Sequence, residues 1–263
     1  MREFDKMNLL EIDRISLQFG GVNALADVCM NVKKGQIQAI IGPNGAGKTS
    51  LFNCISGLYH PNNGQILLNG KDIANKKPHT IAKMGVARTF QNIELFENMN
   101  VIDNLLIGRH HIMGSGPVTA ALFYGRTVTE EIANRRKVEE IIDFLEIEDV
   151  RKKAANTLPY GIQKRVEIGR ALAMEPELLL LDEPMAGMNV EETEDIARFI
   201  LDINEDFGKT IIMVEHDMRV VMDISNWITV FDFGCKIAEG TPDQVQKNHK
   251  VIEAYLGRED EAV

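Results

Sequence analysis

Cysteine is scarce in this chain. Cys29, Cys54 and Cys235 are odd in number, far apart and include no CxxC pair, which excludes a disulfide framework and reads as reduced thiols in a cytosolic protein. Long apolar runs are missing too. No window approaches the roughly 18 consecutive apolar residues of a membrane span, and charges at Arg2, Glu3, Asp5, Lys6, Glu11 and Asp13 break any signal-peptide core. The chain is therefore expected to stay in the cytoplasm by itself. Nor is there an excess of positive charge: 29 basic residues against 39 acidic ones leave a net charge of −10, which argues against a protein whose main business is neutralising phosphate backbones. Internal repeats are lacking, and low complexity is confined to an acidic tail, REDEAV, at 258–263. What remains is an ordinary globular composition, 44% hydrophobic and 26% charged over 263 residues, enough for one large core or two modest domains.

From Leu10 the apolar runs are short and punctuated: LEIDRISLQF, then GG, VNALADVCMNV, KKG and QIQAII. Strands with tight connections fit that rhythm, and QILLNG at 65–70 extends it. From about 80 helical periodicity takes over. Thr127 and Glu130 have capping-box spacing ahead of Val138, Ile141, Ile142 and Leu145, which share one helix face. The Gly-rich and small-residue stretch near 108–126 reads as a loop or broken helix. Strand signals return in ELLLLDEP at 177–184, TIIMVEHD at 210–217 and WITVFDFG at 227–234, with helix-length stretches between them. Continuous apolar runs alternating with helices imply a parallel sheet buried on both faces. The two ends of the chain, about 8–91 and 176–257, are expected to form one core, interrupted by a mostly helical insert at about 92–175.

GPNGAGKT at 42–49 follows the strand-like IQAII and leads into a helix-like segment. Gly42, Gly45 and Gly47, with Pro43, Asn44 and Ala46 between them, let the backbone approach a phosphate, and the helix N-terminus beginning near Thr49 and Ser50 favours an anion. Lys48 is expected to reach the β and γ phosphates, and the Thr49 hydroxyl to hold Mg²⁺. A chance match to GxxxxGK[ST] in this length is roughly one in a hundred on average residue frequencies. LLLLDEP puts Asp182 at the tip of a buried strand, where open α/β sheets place their ligands. Asp182 then stands to hold Mg²⁺ in its outer shell, and Glu183 to polarise an attacking water. His216 arrives at a strand end as well, where it could donate to the γ phosphate and orient Glu183 and the water.

GPNGAGKT, then Gln91 in RTFQ, LPYGIQKR, LLLLDEP and VEHD, in that order, resemble the ATP-binding cassette of ABC transporters, over about residues 8–257. The resemblance implies an α/β fold: a P-loop NTPase core with a mostly parallel sheet, an N-terminal antiparallel β subdomain and an inserted α-helical subdomain. It further implies that Phe19 stacks on adenine and that Gln91 senses Mg²⁺ and the water while linking core to insert. LPYGIQKR matches the family signature, normally LSGGQ: Leu158, Gly161 and Gln163 are kept, Pro159 stands for the Ser and Tyr160 for the first Gly. Pro159 offers neither a hydroxyl nor an N–H, so the loop loses a phosphate donor. Asn189 stands where family members commonly have Asp.

Within the family, PMAGMNVEE, VEHDMRVVM and the closing AEGTPDQVQKNHKVIEAYLG look most like the ATP-binding subunits of branched-chain amino acid importers. The implied activity is ATP hydrolysis with Mg²⁺. The implied partners are a second cassette, a copy or a paralogue, multi-span permease subunits met near Gln91 to Asn100 and, indirectly, a solute-binding protein, with no nucleic acid. The implied place is the inner face of the cell membrane, held peripherally. Rival readings are another cargo such as urea or an envelope lipid, a soluble P-loop kinase or GTPase, and a non-transport cassette acting on ribosomes or DNA. A separate signature segment counts against the second. One cassette without long coiled coils counts against the third. His110 and His111 with nearby Met113 make a poor metal site, because adjacent histidines do not share a helix face. The twelve methionines read as core filling, and ANRRKVEE at 133–140 reads as a solvated helix face.

Overall fold

The computed structural model describes residues 8–110, 112 and 126–256. The chain opens with a hairpin of β1 (Asn8–Phe19) and β2 (Val22–Lys33), turned at Gly20 and Gly21. β4 (Asn63–Leu68) and β5 (Lys71–Asp72) complete an antiparallel sheet in the order β2-β1-β4-β5. Leu10, Ile12, Ile15 and Leu17 of β1 are buried while Asp13, Arg14 and Gln18 face out. That one-sided burial is what an antiparallel sheet packed on a core through one face requires.

The second sheet carries the centre of the molecule. Its order is β10-β9-β3-β8-β7-β6, built from β3 (Ile37–Ile41), β6 (Val86–Arg88), β7 (Leu178–Asp182), β8 (Thr210–Val214), β9 (Trp227–Asp232) and β10 (Cys235–Gly240). The pairings are parallel except β9 with β10. Every residue of β3, β7 and β8 is buried, because both faces are covered. Ile37, Ala39, Ile41, Leu179, Leu181, Ile211 and Met213 join one apolar cluster. Ile40, Leu178, Leu180, Ile212 and Val214 join the other, with the β1–β2 hairpin and α1 (Lys48–Ile55). The period-2 alternation of a strand thus splits each leucine run between two cores.

The helical character expected from about 80 is interrupted. α2 (Pro78–Lys83) gives way to β6, which pairs with β7 in parallel from Val86↔Leu178 to Arg88↔Leu180. Three residues are too few for a period to show. β10 also lacks a readable signal, since CKIAEG carries only a half-buried pattern.

Between Arg88 and Leu178 the described elements are helical: α3 (Val101–Arg109), α4 (Arg126–Phe144), two 3-10 turns and α5 (Tyr160–Ala173). α3 starts at an Asn100 cap that accepts the Asp103 N–H at 2.8 Å. Val138, Ile141 and Ile142 are buried on one face of α4, with Leu145 buried just past its end, as their spacing implies. ANRRKVEE is not wholly solvated, for Asn134 is buried and its oxygen accepts from Arg109 Nε at 2.6 Å. Arg109 also donates to the Ala173 carbonyl and to Glu175, tying the ends of α3 and α5 together. The Thr127 side chain, His111, Met113, most of the 108–126 stretch and the tail 258–263 lie outside the described residues. The C-terminal half adds α6 (Val190–Glu205), α7 (Met218–Ile224), α8 (Pro242–Gln246) and α9 (His249–Leu256).

α3 and α5 touch through backbone. A Cβ on Gly108 would stand 2.4 Å from the Arg170 carbonyl oxygen, so the helices approach this closely only with glycine there. Gly108→Ala is expected to push them apart and destabilise the chain by about 1–3 kcal/mol. A urea midpoint that stays at the wild-type value would contradict this packing.

Candidate functional site

The phosphate loop is shaped by two neighbours that leave no room for side chains. Gly42 (φ +150°) would place a Cβ 2.2 Å from the Phe231 carbonyl oxygen, and Gly47 (φ +100°) one 2.5 Å from the Ala24 carbonyl oxygen. The loop is further pinned by Gly234 N–H to Ala46 O at 3.0 Å and Ala26 N–H to Gly234 O at 2.9 Å. Gly45 (φ +80°) has open space where a side chain would stand. Lys48 is buried and donates to the carbonyls of Gly42 at 2.6 Å and Pro43 at 3.0 Å, which holds its ammonium inside the loop. Gly47 caps α1 without a side-chain hydrogen bond. A helix N-terminus with no capping side chain favours an anion. Asn44 and Thr49 are exposed, Pro43 and Ser50 half-buried and Ala46 buried. This glycine cradle fits a chain of phosphates.

At the hairpin tip Phe19 is 47% exposed and meets Tyr59 edge-to-face at 5.1 Å. Nothing in the sequence pattern singles out Tyr59. Its loop is fixed to β1 by Asn62, whose side chain accepts the Gln18 N–H at 2.7 Å and whose N–H reaches the Ser16 carbonyl at 2.7 Å.

Asp182, Glu183, His216 and Gln91 come to one edge of the parallel sheet. Glu183 follows β7 at φ +48°, a left-handed conformation unusual for a residue with a Cβ and one that concentrates at functional sites. Pro184 disfavours the right-handed alternative. The Glu183 carboxylate is held at both oxygens: His216 Nε2 lies 2.8 Å from Oε1, and Gln91 Nε2 donates to Oε2 at 2.9 Å. An ionised carboxylate only accepts, so this contact puts the imidazole proton on Nε2. A carboxylate offers about four lone-pair sites, so a water can bind while both partners stay.

Asp182 is buried, and its Oδ2 accepts from Arg88 Nη2 at 2.8 Å. Arg88 also donates to Asn53 at 2.7 Å and Ser56 at 3.1 Å, and packs over the Phe52 and Phe90 rings. Among the described residues no group of three or more His, Cys, Asp and Glu could hold a metal ion. The donors at hand, the Thr49 hydroxyl and the Asp182 carboxylate, are hard oxygens. They suit Mg²⁺, which characteristically draws its remaining ligands from phosphate and water.

The signature loop lies apart from these residues in sequence, at the head of α5. Pro159 is the N-cap and makes no side-chain cap bond. Leu158 is buried, and Tyr160 is 43% exposed; burial first, then the charge of Glu167, pushes the Tyr160 hydroxyl up. Gln163 turns inward and donates to the Leu158 carbonyl at 2.8 Å. Position by position, LPYGI lies on LSGGQ with Ile162 in the fifth place, so Gln163 stands one residue beyond the signature glutamine. A carboxylate crowds the loop: a Cβ on Gly161 would sit 2.7 Å from Glu192 Oε1. Asn189 is the N-cap of α6, in a capping box with Glu192, so its side-chain oxygen and its backbone N–H are spent within its own chain.

Glu215 is a further site residue that sequence reasoning did not find. This buried acid just before His216 accepts the Met185 N–H at 2.9 Å and the His216 N–H at 3.0 Å. It therefore ties the loop after Glu183 to the loop that carries His216. Its only sequence signal is a second acid at the end of an apolar strand.

A glycine cradle opening a helix, beside acids at the tip of a buried parallel strand, defines a P-loop nucleotide site on an α/β core. The ABC transporter family model matches residues 25–186, and a model described as the branched-chain amino acid ATP-binding cassette transporter matches 235–261. The chain is 40% identical over 252 residues to the high-affinity branched-chain amino acid transport ATP-binding protein BraF of Pseudomonas aeruginosa, covering 95% of this chain and 98% of that one. It is similar to a crystal structure of the ADP conformation of an ATP-binding cassette of an ABC transporter, with TM-score 0.83, 35% identity and coverage of 96% and 100%. A dimeric post-hydrolysis cassette bound to ADP and Pi gives TM-score 0.72 and 25% identity, with coverage of 89% and 98%. The chain belongs to the ABC transporter family, as one of its ATP-binding cassettes, and is an ATPase.

Burial pushes the Glu215 carboxyl above its ordinary 4.5, against the pull of the Met185, His216 and Asp217 N–H groups. A raised folded-state value means the folded chain holds the proton more tightly, so stability is lost as pH rises through it. Relative to Glu215→Gln, the wild type is expected to lose stability as pH rises from 4.5 through that raised value, and to run parallel above it. Urea midpoints of the two proteins across the acid range test this; a constant difference would contradict the burial.

Proposed function

We propose that the chain is the energy-coupling ATPase subunit of an importer for branched-chain amino acids. The observation that carries the catalytic part is the double hold on Glu183 by His216 and Gln91 at the sheet edge. BraF, 40% identical over 95% of this chain, and the family match at 235–261 support the cargo.

Glu183 accepts a hydrogen bond from the attacking water and, as its proton leaves, takes it as general base. His216 fixes the direction of that carboxylate through its Nε2–H, and the same N–H, shared or turned, donates to the γ phosphate. Gln91 orients the water from the opposite side. Lys48 leaves the carbonyls of Gly42 and Pro43 for the β and γ phosphates, which the N–H groups of Gly45, Gly47, Lys48, Thr49 and Ser50 surround. Thr49, Gln91 and Asp182, the last through its free carboxylate oxygen, would hold Mg²⁺, which neutralises phosphate charge. Phe19, backed by Tyr59, stacks on adenine. Asn44 stays with this chain's own phosphate loop, and the head of α5, at Pro159, Tyr160 and Gly161, faces the nucleotide of a second cassette, with Leu158 and Gln163 holding that loop in shape.

One ATP-binding domain over about 8–257, with core segments 8–91 and 176–257 and an insert at 92–175, carries these parts. Two such cassettes, paired as in the dimeric relative and enclosing two nucleotides, pull on multi-span permease subunits at the inner membrane face, with a solute-binding protein beyond them. The permease groove lies along Gln91 to Asn100. There Phe96 is exposed, as is Phe90 just before it, and buried Asn104 bonds both the N–H and carbonyl of Phe96. No helix among the described residues is long and apolar enough to cross a membrane.

Lys48→Ala is expected to abolish ATP binding, whereas Glu183→Gln keeps it and loses about 10²–10⁴-fold in hydrolysis. Equilibrium binding and phosphate release check both, and a fully active Glu183→Gln protein would remove the assigned base. ATP-dependent uptake of leucine into proteoliposomes holding the cassette and its permease tests the cargo. Phe19→Ala with Tyr59→Ala is expected to weaken ATP binding by about 1–3 kcal/mol; unchanged affinity would place adenine elsewhere.

A further inference from the structure

α5 sends an ion pair into the interior within two turns of the signature loop. Lys164 and Glu167 are each 1% exposed, and Nζ lies 3.1 Å from Oε2. Neither is satisfied by the other alone. Lys164 Nζ also donates to the carbonyls of Phe90 at 3.0 Å and Gln91 at 3.2 Å, while Glu167 Oε1 accepts the Phe90 N–H at 3.2 Å. Residues 89 to 97 hold neither helix nor strand. These side-chain bonds therefore replace the ladder that would otherwise fix this backbone.

The clamped peptide is the one that aims Gln91 at Glu183. Its neighbour Phe90 lies under Arg88, which binds Asp182. On the other side, Lys164 stands three residues after Gly161 on the same helix. We propose that Lys164 and Glu167 are positioning residues that bolt the Phe90–Gln91 peptide to the head of α5, so that the reach of Gln91 to Glu183 and the placement of the signature loop change together. The inference rests on the reading of Glu183 and Gln91 given under the proposed function.

The test replaces both charges at once, because removing one would strand the other. In the full-length Lys164→Met/Glu167→Leu variant, amide hydrogen exchange over 88–93 is expected to accelerate about tenfold or more in the nucleotide-free protein. ATP turnover kcat is expected to fall about tenfold or more with KM nearly unchanged, since the loss is one of aim rather than grip. The thermal midpoint reports folding. Unchanged exchange overturns the clamp, and faster exchange with wild-type kcat overturns its role in positioning. Equal damage to KM and kcat marks a merely structural pair and overturns it too. Should the double variant fail to fold, Lys164→Gln/Glu167→Leu, which again removes both charges and the acceptor of the Phe90 N–H, is measured in the same way, and the same outcomes uphold or overturn the clamp. Failure of the underlying reading shows separately, as a wild type without ATPase activity or an active Glu183→Gln protein, and leaves the exchange result standing.

Discussion

The register of three adjacent parallel strands governs where the chemistry of this cassette can be. β3 pairs with β8 from Ile37↔Ile211 to Ile40↔Val214, and β8 with β7 from Leu178↔Thr210 to Asp182↔Val214. Because all three run the same way, the Gly42 loop, Asp182 with Glu183, and Glu215 with His216 leave the sheet at one edge. A slip of one residue would turn every side chain to the opposite face. The two apolar clusters forbid it, since the odd and even residues of β7 belong to different cores.

Polar groups buried at that edge are held in chains rather than pairs. Arg88 joins Asp182 to Asn53 of α1 and to its C-cap Ser56, so the phosphate-loop helix and the β7 tip share one cation. Glu215 joins the loops after β7 and β8, and Lys164 with Glu167 joins α5 to the loop of Gln91. Replacing a buried pair by well-packed apolar side chains is often neutral, whereas removing one member costs about 3–5 kcal/mol. Such pairs therefore do little for stability that a leucine could not do. What they supply is direction, because each fixes a stretch of irregular backbone that no ladder reaches.

That distinction explains how far the sequence can be read. Periodicity exposes β7, β8 and β9 and the inner face of α4, since burial on one or both faces imprints a repeat on neighbouring residues. GPNGAGKT is legible because its glycines answer a local demand, visible in Gly42 and Gly47 against backbone oxygens. Arg88, Glu215, Lys164 and Glu167 are not. Their partners lie 94, 30, 73 and 77 residues away, and a Lys with a Glu three residues on has the same spacing as the exposed pair Lys137 and Glu140. Tyr59 escapes for a similar reason, its place beside Phe19 being set by a loop that folds back on β1.

The signature loop is where local rules and the proposed two-chain site pull apart. With Pro159 as cap and no hydroxyl to offer, the head of α5 attracts a phosphate mainly through its N–H groups and dipole, worth about 0.3–1 kcal/mol for the latter. Glu192 stands against Gly161. A like charge some 4 Å from a phosphate oxygen would cost about 4 kcal/mol at an effective dielectric of about 20, which outweighs the dipole. Glu192 is kept there by its capping box with Asn189, and a cap is worth only about 1 kcal/mol. The weaker of the two constraints is the cap. A nucleotide brought up by a second cassette would therefore turn Glu192 away and loosen the start of α6, rather than be refused by it.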